Sequence, residues 1–221
     1  MRILHAVSCS RPLMNPHFLR LLATMLASLI ALQCADAAVF NGSSRASTGD
    51  STSAFSGGAS NALTVSCWFK MSIPSGVILS KDMVVLSNRQ TSTAGGNFAF
   101  EIAFSITSGN VEFRAQGASG ALPPQTLIAL PFLERWYHVA VTRAGDNFIG
   151  YLDGREVFTV NQAVGASTNA GGITIGGTGD SANLYGEVQE VAVYRRKLTP
   201  SNIRSRMFVD QPTTDTDLRG Y

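Results

Sequence analysis

The segment Trp136–Phe158, WYHVAVTRAGDNFIGYLDGREVF, leaves the chain little freedom of fold. Tyr137, Val139 and Val141 fall on one side of an extended backbone, and Trp136, His138, Ala140 and Thr142 on the other. That period of two belongs to a half-buried strand, and no helical register fits it. Asp153-Gly154 supplies the two positive-φ residues that a type I′ turn requires. The segment therefore predicts two strands, with the second turning back into a third and setting Tyr151 near Glu156.

The same pattern extends in both directions. Leu63, Val65, Cys67 and Phe69 share one face of a strand, with Thr64, Ser66, Trp68 and Lys70 opposite. Asp82–Ser87 reads as another strand. Between Asn97 and Thr107, Phe98, Phe100, Ile102, Phe104 and Ile106 alternate with Ala99, Glu101, Ala103 and Ser105. Val111, Phe113 and Ala115 repeat the alternation after a Gly109-Asn110 turn, which predicts a hairpin with its apolar face against a second sheet. Ile173–Ile175 and Glu187–Tyr194 complete the set. Ala94-Gly95-Gly96, Gly117–Gly120 and Ala170-Gly171-Gly172 break strands within one domain rather than linking two. Only after Lys197 does a helix start, with Thr199 as N-cap, Pro200 in the first turn, and Ile203 and Met207 placed to cover the end of a sandwich. The polar stretch 212–221 reads as a loose tail. An all-β sandwich over residues 38–211 follows.

Residues 1–37 have the order of a secretory signal: Arg20, then the apolar run Leu21–Leu32, then Ala35-Asp36-Ala37 as a small-residue cleavage site. Met14 offers an alternative start that gives a signal of ordinary length. The apolar run falls short of the roughly 20 residues needed to span a bilayer. Gln33 is a poor residue to precede a lipidated Cys34. Cleavage near Ala37 would leave a protein that is secreted, periplasmic or at the cell surface. Arg2, Arg11, Arg20 and Asp36 would leave with the signal, taking 17 basic and 15 acidic residues to 14 of each. A neutral chain has no nucleic-acid footprint, and Arg195-Arg196-Lys197 is too short a basic run to make one. Cys67 and His138 would be the sole remaining residues of their kinds, so stability must come from burial rather than from an internal disulfide.

Four ordered blocks carry a family resemblance: Val39-Phe40-Asn41-Gly42, the Leu63–Lys70 strand with Trp68, the Trp136–Phe158 segment, and GEVQEVAVYRRKLTPSNI from Gly186 to Ile203. They resemble the laminin-G-like jelly-roll domains of the concanavalin A-like lectin/glucanase superfamily. The resemblance implies a two-sheet antiparallel jelly-roll sandwich with a short C-terminal helix. Several members of that superfamily bind calcium with carboxylates at the sheet rim. Here Asn41 and Gln189 stand where the opening and closing blocks often carry Asp, so calcium is doubtful and no cofactor is required. The two amides could bond each other instead.

The superfamily also contains glycoside hydrolases, which act with two carboxylates on one face. In Glu187-Val188-Gln189-Glu190-Val191, strand alternation sets Glu187 and Glu190 on opposite faces, so no catalytic pair is expected. His138 reads as a packed strand residue and Cys67 as a core residue. A jelly roll leaves one sheet concave, and its outward residues would include Glu101 beside Ala99, Ala103 and Ser105, with Glu112 and Arg114 on the neighbouring strand. These three charged residues are the candidate ligand-binding set, against the alternative of a merely solvated face. Trp68, Trp136 and Tyr151 are candidate exposed aromatics. The function expected is a secreted, non-catalytic module that recognises carbohydrate or an extracellular partner. A self-assembling surface protein and a glycoside hydrolase are the alternatives.

Overall fold

A computed structural model describes residues 37–47, 62–89, 98–167, 172–178, 183–208 and 218–220. The expected signal segment up to Asp36, the Ala94–Gly96 and Ala170-Gly171 breakers, and tail residues 212–217 lie outside them. The described residues form two antiparallel sheets. The seven-stranded sheet runs β1 (Ala38–Asn41), β12 (Tyr185–Tyr194), β3 (Leu63–Met71), β8 (Trp136–Ala144), β9 (Asn147–Leu152) and β10 (Arg155–Asn161), with β13 (Leu218–Gly220) also paired to β12. The six-stranded sheet runs β2 (Ala46–Ser47), β11 (Thr174–Ile175), β4 (Met83–Ser87), β5 (Phe98–Phe104), β6 (Val111–Gly117) and β7 (Gly120–Ile128). This is the jelly-roll sandwich that the alternation and the motif blocks imply.

The inward faces follow the sequence pattern. Val65, Cys67 and Phe69 of β3, with Val139 and Val141 of β8, face Phe100, Ile102 and Phe113 of the other sheet in one continuous core. Phe113 bridges the layers, its ring centroid 6.1 Å from Phe148 and 6.4 Å from Phe158. Each such side chain contributes about 1.5–3 kcal/mol by leaving water. Burial also pushes the Cys67 thiol up to about 12, so it behaves as a small apolar residue. Gly150 is required by close approach, because Phe158 lies against its backbone where a Cβ would stand. The hairpin between β9 and β10 has the expected turn: Asp153 at φ 48° and Gly154 at φ 73°. Tyr151 pairs with Glu156 across it.

Three details depart from what the sequence predicts. Between Phe98 and Glu101, β5 carries one residue more than β6, a bulge that puts both Ala99 and Phe100 into the core. Ala99 is therefore not on the outward shelf, whereas Glu101 is. A second bulge in β12, between Gln189 and Ala192, has Glu190 at φ 52°. It brings Glu190 to the same outer face as Glu187, correcting the opposite-face expectation. The third departure is at the C terminus. Leu218–Gly220 pairs with β12 and Leu218 is buried, so this part of the tail is not loose.

Helix α1 (Pro200–Arg206) begins as expected, with Thr199 Oγ1 accepting from the Asn202 amide at 3.2 Å. It does not cap the end of the sandwich. Ala140 and Ala192 leave a low shelf on the outer face of the seven-stranded sheet, between Tyr151 and Tyr194. Leu198 and Ile203 fill that shelf, forming a second small core.

Candidate functional site

Two hollows bear on function, one on each outer face. The outer face of the six-stranded sheet carries a groove of about 200 Å³ lined by Lys81, Asp82, Val84, Arg89, Glu101, Arg114 and Thr178. Neighbouring strands place its charges side by side: Glu101 on β5 pairs in register with Arg114 on β6 and with Ser87 on β4. Arg114 is the hub. Its Nη2 lies 2.7 Å from Asp82 Oδ2 and 2.8 Å from Glu112 Oε2, and its Nη1 lies 3.7 Å from Glu101 Oε1. Arg89 Nε approaches the other Glu101 oxygen at 3.4 Å. Ser87 Oγ donates to that same oxygen at 3.3 Å, and Ser108 Oγ donates to Glu112 Oε1 at 2.6 Å.

The structure thus brings together all three charged residues singled out from the sequence. Glu112 stands behind Arg114 rather than lining the groove. Glu101 is only 1% exposed. Burial pushes its carboxyl above the usual carboxylate range, while Arg89, Arg114 and the Ser87 hydroxyl pull it part of the way back. Burial works against the Arg114 charge, but hydrogen bonds to Glu112 and Asp82 outweigh it and hold that guanidinium protonated. Sequence reading missed Asp82 and Arg89, which flank β4 and join the site only through strand pairing.

This arrangement suits hydrogen bonding more than bond cleavage. Retaining hydrolysis needs one carboxylate free to attack and another free to deliver a proton. Asp82 and Glu112 share a single guanidinium nitrogen, and Glu101 is held between two arginines. On the other sheet, Glu187 is bound by Lys70 at 2.6 Å.

The second hollow lies under α1, among Thr64, Ser66, His138, Glu190, Tyr194 and Met207. At about 10 Å³ it has space for no more than one water. His138 packs edge-on against Trp68, with centroids 5.3 Å apart, and Trp68 Nε1 donates to the Met207 carbonyl at 2.7 Å. Burial lowers the His138 pKa to about 4 despite the nearby Asp153 carboxylate. With that pKa the imidazole is neutral near pH 7.

The candidate aromatics divide. Tyr151 is buried in the second core, Trp68 is half-buried under Phe208, and Trp136 is half-buried beneath the Lys70 ammonium. Among the described residues the exposed aromatics are Phe132 and Phe208, at 71% and 78%, neither of which strand alternation marks because both sit outside strands. Asn41 does not bond Gln189. Its Oδ1 accepts from the Ser43 amide at 3.2 Å and the Ser43 hydroxyl at 2.7 Å, closing a local turn. Among the described residues no group of three His, Cys, Asp or Glu side chains is placed to hold a metal.

No curated protein matches the chain in sequence. Solved structures do match in fold. Domain 4 of AbnA, a GH43 extracellular arabinanase from Geobacillus stearothermophilus solved with arabinotriose, is similar at TM-score 0.59 and 19% identity, covering 81% of this chain and 78% of that one. The CBM40 of the Ruminococcus gnavus IT-sialidase, solved with α2,3-sialyllactose, is similar at TM-score 0.52 and 13% identity, covering 66% and 82%. At those identities the likeness concerns fold. Residues 40–204 match Laminin_G_3, the family described as the concanavalin A-like lectin/glucanases superfamily, and the chain belongs to that family.

Proposed function

We propose that the chain is a secreted, non-catalytic carbohydrate-binding module whose ligand lies in the groove on the six-stranded sheet. The observation that carries this reading is the convergence of Asp82, Glu101, Arg89 and Arg114 on one open, polar hollow. Charge-assisted groups fixed by one another lose little freedom when they meet sugar hydroxyls. At about 200 Å³ the hollow is smaller than the roughly 300–1,000 Å³ of drug-sized pockets, which suits one sugar unit or a chain end. The similar arabinanase and sialidase domains, solved with bound oligosaccharides, support the class of ligand. No metal is needed in this reading, since Arg114 supplies the positive charge that organises the carboxylates.

The test is a glycan array probed with the full chain, with and without calcium, together with hydrolysis assays on the glycans that bind. Calcium-independent binding without turnover supports the reading; turnover of a bound glycan would overturn its non-catalytic part. Self-assembly is the second reading, favoured by the exposed Leu130, Phe132 and Leu133 in the connection between β7 and β8. A mass that rises with concentration in light scattering, with no glycan bound, would favour it.

A further inference from the structure

We propose that the groove selects acidic sugars, and that a ligand carboxylate is gripped by Lys81 and Arg89. This rests on the carbohydrate-binding reading above. Few charges in the groove remain for a ligand once the internal pairs are counted. Asp82 and Glu112 are both taken by Arg114 at 2.7 and 2.8 Å. Glu101 is buried between Arg114 and Arg89. Arg114 is correspondingly spent: its Nε and Nη2 both donate to Glu112, and Asp82 takes Nη2 as well.

Lys81 is different. It is exposed, lines the groove, and makes no ion pair or hydrogen bond among the described residues. Arg89 stacks its guanidinium on the Phe98 ring at 4.3 Å, which holds it in place. Its Nε is buried without a hydrogen-bond acceptor, since Glu101 lies at 3.4 Å in ion-pair rather than hydrogen-bond geometry. The groove therefore shows its occupant one cation with no internal partner among the described residues, Lys81, beside a second, Arg89, that is ion-paired to Glu101 but whose Nε has no hydrogen-bond acceptor. Each carboxylate already has an arginine against it. A neutral sugar would leave the Lys81 ammonium without a counter-charge and Arg89 with only its 3.4 Å pairing to Glu101. A carboxylate would satisfy them with charge-assisted bonds, the guanidinium offering a planar edge.

The test is calorimetric titration of the full chain with matched pairs: α2,3-sialyllactose against lactose, and trigalacturonic acid against galactotriose. The two pairs separate a sialic from a uronic carboxylate. One acidic member is expected to bind roughly tenfold or more tighter than its neutral partner. That preference should shrink as salt rises from about 50 to about 500 mM. Lys81→Glu, at a partnerless surface position, should abolish the preference without changing the thermal midpoint, and Arg89→Gln should reduce it. Equal affinity within both pairs would overturn acid selectivity while leaving carbohydrate binding intact. An acidic preference that survives Lys81→Glu would overturn the assignment to this groove. Failure of all four sugars, and of the glycan array, would remove the parent reading and this one with it.

Discussion

Asp153 and His138 hold each other twice. The Asp153 amide donates to the His138 carbonyl at 2.8 Å, and the Asp153 carboxylate accepts from the His138 amide at 3.0 Å. A hairpin turn is thereby locked to the neighbouring strand start, and the Asp of the turn serves both its φ of 48° and this bond. Asp153→Ala should lower stability by about 1–2 kcal/mol, through the lost acceptor and the strained φ. Asp153→Asn keeps an acceptor oxygen and tolerates the conformation, so it should cost less than half as much. Urea midpoints of the two variants check this; equal losses would contradict it.

Stability should fall on mild acidification because of His138. Its folded pKa of about 4 lies below the ordinary 6.5, so the unfolded chain binds the proton first. The loss begins as pH drops below about 6.5 and levels off near 4, reaching at most about 3 kcal/mol for this one group. His138→Gln should flatten the dependence of thermal midpoint on pH across that window. An unchanged slope would show that another group titrates there.

Arg114 anchors three carboxylates. Arg114→Met should cost about 3–5 kcal/mol at neutral pH by leaving buried negative charge unpaired. Glu101→Gln in that background should recover part of the loss, since it removes the most buried of those charges. Denaturation of the single and double variants reads this directly. No recovery would mean that Arg114 acts mainly by packing.

Calcium should leave the fold unmoved. Asn41 Oδ1 is committed to Ser43, and Gln189 offers no charge. The thermal midpoint of the EDTA-treated chain should not shift when millimolar calcium is added, and a large rise would contradict the proposal.

Most of the fold was legible because strands β3, β6, β8 and β9 display their inward residues at a period of two, and β5 and β12 do so outside a single bulge each. The Asp153-Gly154 turn was legible for a local reason, as two positive φ angles need those residue types. What escaped was nonlocal or irregular. The bulges at β5 and β12 shift side chains by one face, and a single extra residue leaves no mark in an alternating pattern. Strand β7 carries Pro123 and Pro124, tolerable at the edge of a sheet but contrary to strand propensity. The groove was half legible. Glu101, Glu112 and Arg114 stood out as polar residues within apolar strands, whereas Asp82 and Arg89 reach them only through the pairing of β4 with β5.

The most direct check on the groove is amide chemical-shift mapping of the isotope-labelled chain during titration with α2,3-sialyllactose and, separately, arabinotriose. Perturbations centred on Lys81, Asp82, Arg89, Glu101 and Arg114 for at least one sugar are the expected result. Shifts confined instead to the face under α1, or to the Leu130–Leu133 connection, would contradict the account.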